Sequence, residues 1–266
     1  MRKTLLTALS VALAAAAAHG TMGSLVKSFG NYPRPAMTTH YGLAADSSYV
    51  YSYAFVTYQH IYRMLRTNGS LISSYPCPLG TSGLNGALHG LSYGGGPYLY
   101  ASNYCTHVVA KFYASSGSLI STWEWPTGSR WGLCSEHDGT NPASYLWQSH
   151  YQGNFWRYTT DGSLVSSFNT SELNEYDLAW DYGNKLIWYP NYNTDCVYGI
   201  TTSGSLVAQW RVPSGVSGPY GIAYYGEYLY VSTAHGYPDD YIWVYHCPGD
   251  VGVAPASIGK VKALFR

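Results

Sequence analysis

Thr160–Asn169, TDGSLVSSFN, reads as a turn feeding a strand: Thr-Asp-Gly-Ser bends the chain, and Leu164 to Phe168 are strand-type residues. The phrase recurs as MGSLVKSFG from Met22, NGSLISSYP from Asn68, SGSLISTWE from Ser116 and SGSLVAQWR from Ser203. The glycines of the five phrases, Gly23, Gly69, Gly117, Gly162 and Gly204, stand 42 to 48 residues apart. A second phrase keeps the same beat: YGLAAD from Tyr41, HGLSYG from His89, WGLCSE from Trp131, YDLAWD from Tyr176 and YGIAYY from Tyr220. A third follows it as YVYSY, YLYAS, YLWQS, LIWYP and YLYVS, and a looser fourth precedes the next GSL. Each unit thus holds four short strand-type runs separated by Gly, Asn, Asp and Ser.

A period in the forties with four strands per unit predicts an all-β propeller of four-stranded blades. Paired-helix repeats are excluded, because no unit contains a long run with helical spacing of its apolar positions. Alternation in YLYVS places Tyr228 and Tyr230 on one sheet face and Leu229 and Val231 on the other. Both faces are apolar, as expected when every blade packs between two others. The chain opens on a GSL strand and stops after the third strand of its fifth unit. Ser24, Leu25, Val26, Lys27, Ser28 and Phe29 are therefore expected to complete the last blade and remove an open sheet edge. Five blades follow, with six as the alternative if the C-terminal residues add strands. If the same strand instead completes a neighbouring molecule's blade, it builds oligomers or filaments by strand exchange.

PYGIAYYGEYLYVST (219–233) and GLSYGGGPYLYASN (90–103) resemble the NHL/YVTN-like repeats of bacterial secreted β-propellers, and the resemblance spans residues 22–248. It implies the fold and leaves the role open, since such propellers serve many functions. Composition narrows the partners. With 14 Lys+Arg against 14 Asp+Glu, the chain has no electrostatic claim on nucleic acid or an anionic membrane. Its 29 tyrosines, with abundant Gly and Ser, suit a β protein with tight turns.

Residues 1–18 read as an export signal: Arg2 and Lys3 precede an apolar run from Leu5 to Ala18, too short to span a bilayer, with small residues for cleavage. The expected location is secreted or cell-surface. Residues 249–266 leave the repeat pattern and are a candidate sorting or attachment segment. Of the five cysteines, Cys77 and Cys247 each precede a proline and are candidates for one long-range disulfide, with buried thiols as the alternative.

Chemistry in propellers gathers at the channel mouth. The residue before each second-phrase glycine position is aromatic in every unit: Tyr41, His89, Trp131, Tyr176 and Tyr220. Such a rosette either closes the hub or stacks on a sugar. A glycosidase needs two carboxylates facing each other across the site. Asp46, Glu136, Asp138, Asp181 and Glu227 fall at the far end of the inner strand, which leaves Glu175 and Asp177 in one blade and no opposed pair. No HExxH or GxSxG is present, and the histidines are scattered. These features predict no enzyme, no metal and no cofactor. The expected role is a non-catalytic extracellular scaffold or binding module, self-assembling through strand exchange. A lectin-like propeller using the rosette is the second expectation, and a glycan hydrolase the third. The expected partners are other copies of the chain and an extracellular glycan, with no nucleic acid and no membrane span once the leader is removed.

Overall fold

In the computed structural model the described residues are 22–30, 39–55, 60–79, 88–125, 131–150, 152–170, 176–212, 218–233 and 241–247. Residues 1–18, expected from the sequence to be an export signal, residues 249–266 and Glu175 lie outside them. The chain folds as five four-stranded antiparallel sheets. Blade 1 is β2 (Thr39–Ala45), β3 (Tyr49–Phe55), β4 (His60–Leu65) and β5 (Leu71–Pro76); blade 2 is β6 (Leu88–Tyr93), β7 (Tyr98–Asn103), β8 (Val108–Tyr113) and β9 (Leu119–Glu124). Blade 3 is β10 (Leu133–Glu136), β11 (Tyr145–His150), β12 (Asn154–Thr159) and β13 (Leu164–Asn169); blade 4 is β14 (Ala179–Asp181), β15 (Leu186–Asn191), β16 (Cys196–Thr201) and β17 (Leu206–Arg211). Blade 5 is β18 (Pro219–Tyr225), β19 (Tyr228–Thr233) and β20 (Ile242–His246), and β1 (Leu25–Phe29) completes it beside β20. The first strands touch in sequence around an axis, β18 to β2 to β6 to β10 to β14 and back to β18, so the ring is closed with five blades.

Five apolar cores lie between the blades, one per boundary. The alternating strands feed two cores at once. Leu229 and Val231 pack toward blade 4, whereas Tyr230 joins Leu43 and Met64 of blade 1. That division is the reason no blade has a polar face, and why aromatic residues are spread over both.

The repeated phrase is a stitch between blades. Six residues after each of its glycines stands an aromatic ring, and each glycine lies against the ring of the preceding blade: Gly69 on Phe29, Gly117 on Tyr75, Gly162 on Trp123, Gly204 on Phe168 and Gly23 on Trp210. At Gly162 the backbone φ is +93°, and a Cβ would sit 2.7 Å from Trp123. Only glycine combines that conformation with that approach. Phe29 and Gly23 belong to β1, so the closing strand is gripped by the same stitch as the other four.

Pairing adds to it: β1 aligns Leu25 with Tyr245 and Phe29 with Ile242, while Lys27 Nζ donates to the carbonyls of Arg66 and Thr67 at 3.2 and 2.7 Å. The strand sits in its own chain's ring. Every outermost strand also bulges at one place. Val26, Ile72, Ile120, Val165 and Val207 are skipped in the register, each directly after a leucine.

The proposed disulfide is not formed. Cys77 is buried in the core between blades 1 and 2 and Cys247 in the core between blades 4 and 5, and all five cysteines are free thiols. Both precede a proline, but Cys77 follows a fourth strand, at the bowl end, and Cys247 a third strand, at the opposite end, so they cannot meet.

Candidate functional site

The first strand of each blade starts at one mouth of the axis, and the residue just before its hub position projects a ring there. Tyr41, His89, Trp131, Tyr176 and Tyr220 form an unbroken circle. Successive centroids are 5.2 Å (Tyr41–His89), 4.9 Å (His89–Trp131), 4.6 Å (Trp131–Tyr176), 4.4 Å (Tyr176–Tyr220) and 5.1 Å (Tyr220–Tyr41). The rings are tilted or edge-on, the geometry that aromatic quadrupoles favour. Tyr104 stands over His89 and Trp131 at 5.2 and 5.5 Å, and Tyr192 over Tyr176 and Tyr220 at 6.1 and 5.1 Å. Together they turn the circle into a bowl with two walls.

Both wall tyrosines follow an asparagine that ends a second strand. Asn103 Oδ1 accepts from the N–H groups of Cys105 and Thr106, and Asn191 Oδ1 from those of Asn193 and Thr194. These turns fix the wall tyrosines at the mouth. The sequence marks the loops as polar and aromatic; the shared Asn-Tyr pair was the signal for the walls.

The two halves of the bowl differ chemically. Tyr41, Tyr176 and Tyr220 gather their phenols: burial first pushes all three above the ordinary tyrosine range, with Tyr176 adding to the shift of Tyr41 and of Tyr220, while at Tyr176 a hydrogen bond with Tyr220 opposes burial and Tyr192 reinforces it. On the other side His89 is buried among three rings, and burial holds its pKa down at about 4, so it is neutral at pH 7. Its Nδ1 has no hydrogen-bond partner.

Beneath the circle lies the hub. Four blades place glycine there, and the space explains it: a Cβ on Gly90 would stand 2.4 Å from Leu133 Cβ and 2.7 Å from its nitrogen. Blade 4 has Asp177 instead, and that one side chain fills the axis. It is fully buried, and its Oδ2 accepts from Leu43 N of blade 1 and Ile222 N of blade 5, both at 3.0 Å. The N–H groups of Leu178 and Leu133 also favour its charge, but burial dominates and raises its pKa well above the usual carboxylate range. Oδ1 has no partner in full hydrogen-bond geometry. Below Asp177 a void of about 10 Å³ remains, at the limit for a single water.

Asp195 stands in the turn after Tyr192 and is held by Arg211 and the N–H of Gly218, whereas Asp46, Glu136, Asp138 and Asp181 lie at the opposite end of the blades and are spent locally. Asp46 accepts from Tyr51 Oη at 2.7 Å, Glu136 from Trp147 Nε1 and Arg157, and Asp181 from Trp188 Nε1 at 3.2 Å and Asn184. Each ties the end of an inner strand to the ring of the second strand. Asp138 closes its own turn on Thr140 and Asn141. Among the described residues no opposed pair of free carboxylates faces a cavity.

No protein-family model matches the chain, the NHL/YVTN-like repeats included, and no curated protein matches it. Solved structures do. A glutaminyl cyclase from Myxococcus xanthus superposes with a TM-score of 0.64 at 14% identity, covering 84% of this chain and 95% of that one. A chain of a nidogen/laminin complex gives 0.51 at 15% identity over 75% and 73%. A virginiamycin B lyase from Staphylococcus aureus gives 0.44 at 15% identity over 84% and 74%. At these identities the likeness is one of fold: this is a β-propeller, of an architecture found in enzymes and in binding assemblies.

The expectation that the chain is no enzyme is corrected by the first match, since an enzyme shares the fold over most of the chain. The argument from sequence failed for a physical reason. It sought paired carboxylates and spaced nucleophile motifs, and the lack of those patterns does not exclude catalysis on a fold that carries many chemistries.

Proposed function

We propose that the protein is a carbohydrate-binding β-propeller whose site is the aromatic bowl. The observation that carries this reading is the closed circle of five rings with two wall tyrosines at one mouth. A saccharide presents a face of C–H groups, which stacks on such rings, and a rim of hydroxyls, which bond with the phenols of the circle and its walls. Each aromatic contact contributes about 0.5–1.5 kcal/mol beyond burial, so a few of them give a dissociation constant near 1 mM, about −4 kcal/mol. His89 is neutral and Asp177 is sealed beneath the rings, which favours an uncharged sugar over an ionic one. The leader read from the sequence is consistent with a ligand met outside the cell.

The test is a glycan array read with the mature protein, followed by titration of tryptophan fluorescence with the best sugar. Trp131→Ala should weaken binding roughly 10-fold or more, about 1.4 kcal/mol, with a cooperative thermal transition showing that the propeller is intact. Binding undiminished in this variant would place the ligand elsewhere.

The match to a glutaminyl cyclase favours a second reading, turnover of a substrate held in the bowl. A peptide beginning with glutamine is the first substrate to try. Attack of its α-amine on the side-chain amide carbon would release ammonia, and no ammonia would remove this reading.

A further inference from the structure

The end of the propeller opposite the bowl carries a pattern that the ligand site does not use. The fourth strand of every blade starts at that end, just after its stitching glycine, because it runs back antiparallel to the third. The leucine and the bulged residue behind it therefore stand at five stations around one face. Nine of these ten side chains are exposed, from 37% at Leu71 to 57% at Leu164, and Val207 is half-buried. Scattered exposed leucines need no explanation, but the same apolar doublet at one place in all five blades does.

The bulges rule out one kind of partner. A strand that pairs along the edge would meet a kinked, twisted backbone at each doublet, the device by which edge strands resist extension. What remains is side-chain contact across a flat annulus. We propose that this face is the interface of a homodimer, with two propellers meeting annulus to annulus about a two-fold axis.

Three observations favour a second copy. A ring of five identical stations is self-complementary, as a two-fold contact requires. The turns that lead into the doublets are mostly Gly, Ser and Thr and carry one charge of each sign, Arg66 and Asp161, so little must be desolvated. A chain with equal numbers of acidic and basic residues repels neither its copy nor any neutral surface, and has no basic excess to hold an anionic membrane. Extent agrees as well. A doublet with its three preceding residues, repeated five times, supplies the roughly 20–30 residues a side of a stable interface. In such a dimer the two bowls face outward, and, on the reading proposed above, a sugar polymer would be gripped at two points with the gain that linkage brings.

Light scattering behind size exclusion tests it without any ligand. The mature protein should elute at twice its chain mass. Leu119→Asp with Leu164→Asp should weaken dimerisation by roughly 100-fold, about 2.7 kcal/mol, with an unchanged far-UV spectrum, since both residues are more than half exposed. The milder Leu164→Ser serves if the pair fails to fold. Trp131→Ala should remain a dimer, so failure of the sugar reading leaves this one standing. A wild-type monomer at high micromolar concentration, a dimer that survives the substitutions, or a monomer that sediments with phosphatidylcholine vesicles would each overturn it.

Discussion

The two mouths of the axis are both ringed by aromatic side chains, yet they are built in different ways. At the bowl, five rings come from one equivalent position, the residue before the hub, once per blade. At the other mouth four rings close a quadrilateral: Tyr93 to His137 at 5.1 Å, His137 to Tyr182 at 5.5 Å, Tyr182 to Tyr225 at 6.0 Å and Tyr225 to Tyr93 at 6.4 Å. These four stand three to five residues past the hub position, and blade 1 contributes the carboxylate of Asp46 near Tyr93 instead of a ring. Where the chain enters the inner strand, every blade presents a ring one residue before the hub, and in blades 1, 2 and 5 the sheet register shifts at that place. Where it leaves, turns of unequal length decide which residue reaches the axis. The first mouth is a product of the repeat, and the second of its irregularities.

Asp177 separates the two, and replacing it should have the largest effect. Asp177→Leu leaves the N–H groups of Leu43 and Ile222 buried without an acceptor. At about 2 kcal/mol for each orphaned donor, the loss is about 4 kcal/mol in urea unfolding. Asp177→Asn keeps a carbonyl acceptor and should cost less, and it isolates the titration. The folded carboxyl has a raised pKa, so its contribution is fully present below the ordinary carboxylate pKa and is lost as pH rises through the folded value. Wild type should therefore lose stability relative to Asp177→Asn as pH climbs from about 4. A parallel pH profile for the two proteins would show that the hub carboxyl is not buried as described.

Each mouth also keeps one buried neutral imidazole, and these titrate in the opposite sense. Burial lowers His89 and His137 to about 4; at His137, Asp138 opposes and Lys185 reinforces the shift. Depressed values mean that stability is present above the unfolded pKa of about 6.5 and is lost as pH falls toward 4, by about 3 kcal/mol for each histidine. His137 Nδ1 accepts from Gly139 N–H at 2.9 Å, a bond its protonation would break, whereas His89 Nδ1 has nothing to lose. His89→Phe should thus flatten the acid limb of the stability profile with little cost at pH 7. His137→Phe should flatten it too, but lose about 1 kcal/mol at pH 7 for the missing acceptor. Equal behaviour of the two variants would erase this difference between the mouths.

How much of this was legible follows the same division. The blade count, the closing strand and the five rings of the bowl are periodic, so Gly23 to Gly204 and Tyr41 to Tyr220 could be read by counting. The stitch between glycine and ring was half legible: the phrase was visible in the sequence, but its target lies in the preceding blade, a contact that spacing alone does not assign. Asp177 stood out as the one acid among four glycines, yet its meaning depends on distances across the axis that only a folded ring creates. The quadrilateral of Tyr93, His137, Tyr182 and Tyr225 left no trace, because it breaks the period. Cys77 and Cys247 misled for the opposite reason: they share a Cys-Pro dipeptide but follow different strands, and so lie at opposite ends of the blades.

The smallest effect offers the sharpest comparison, one hydroxyl at each mouth. Tyr182 Oη accepts from Gly226 N–H at 3.0 Å, a half-buried bond that ties blade 4 to blade 5. Tyr220 Oη shares its bond with another half-exposed phenol, Tyr176, where water can replace it at little cost. Tyr182→Phe should therefore lose about 1 kcal/mol of stability, while Tyr220→Phe stays within about 0.5 kcal/mol of wild type. Sugar binding should reverse the order, with Tyr220→Phe weakened several-fold and Tyr182→Phe unchanged. Denaturation midpoints and a fluorescence titration on the same two proteins would decide it. A loss of binding in both, or in neither, would mean that the mouths do not divide structure from recognition.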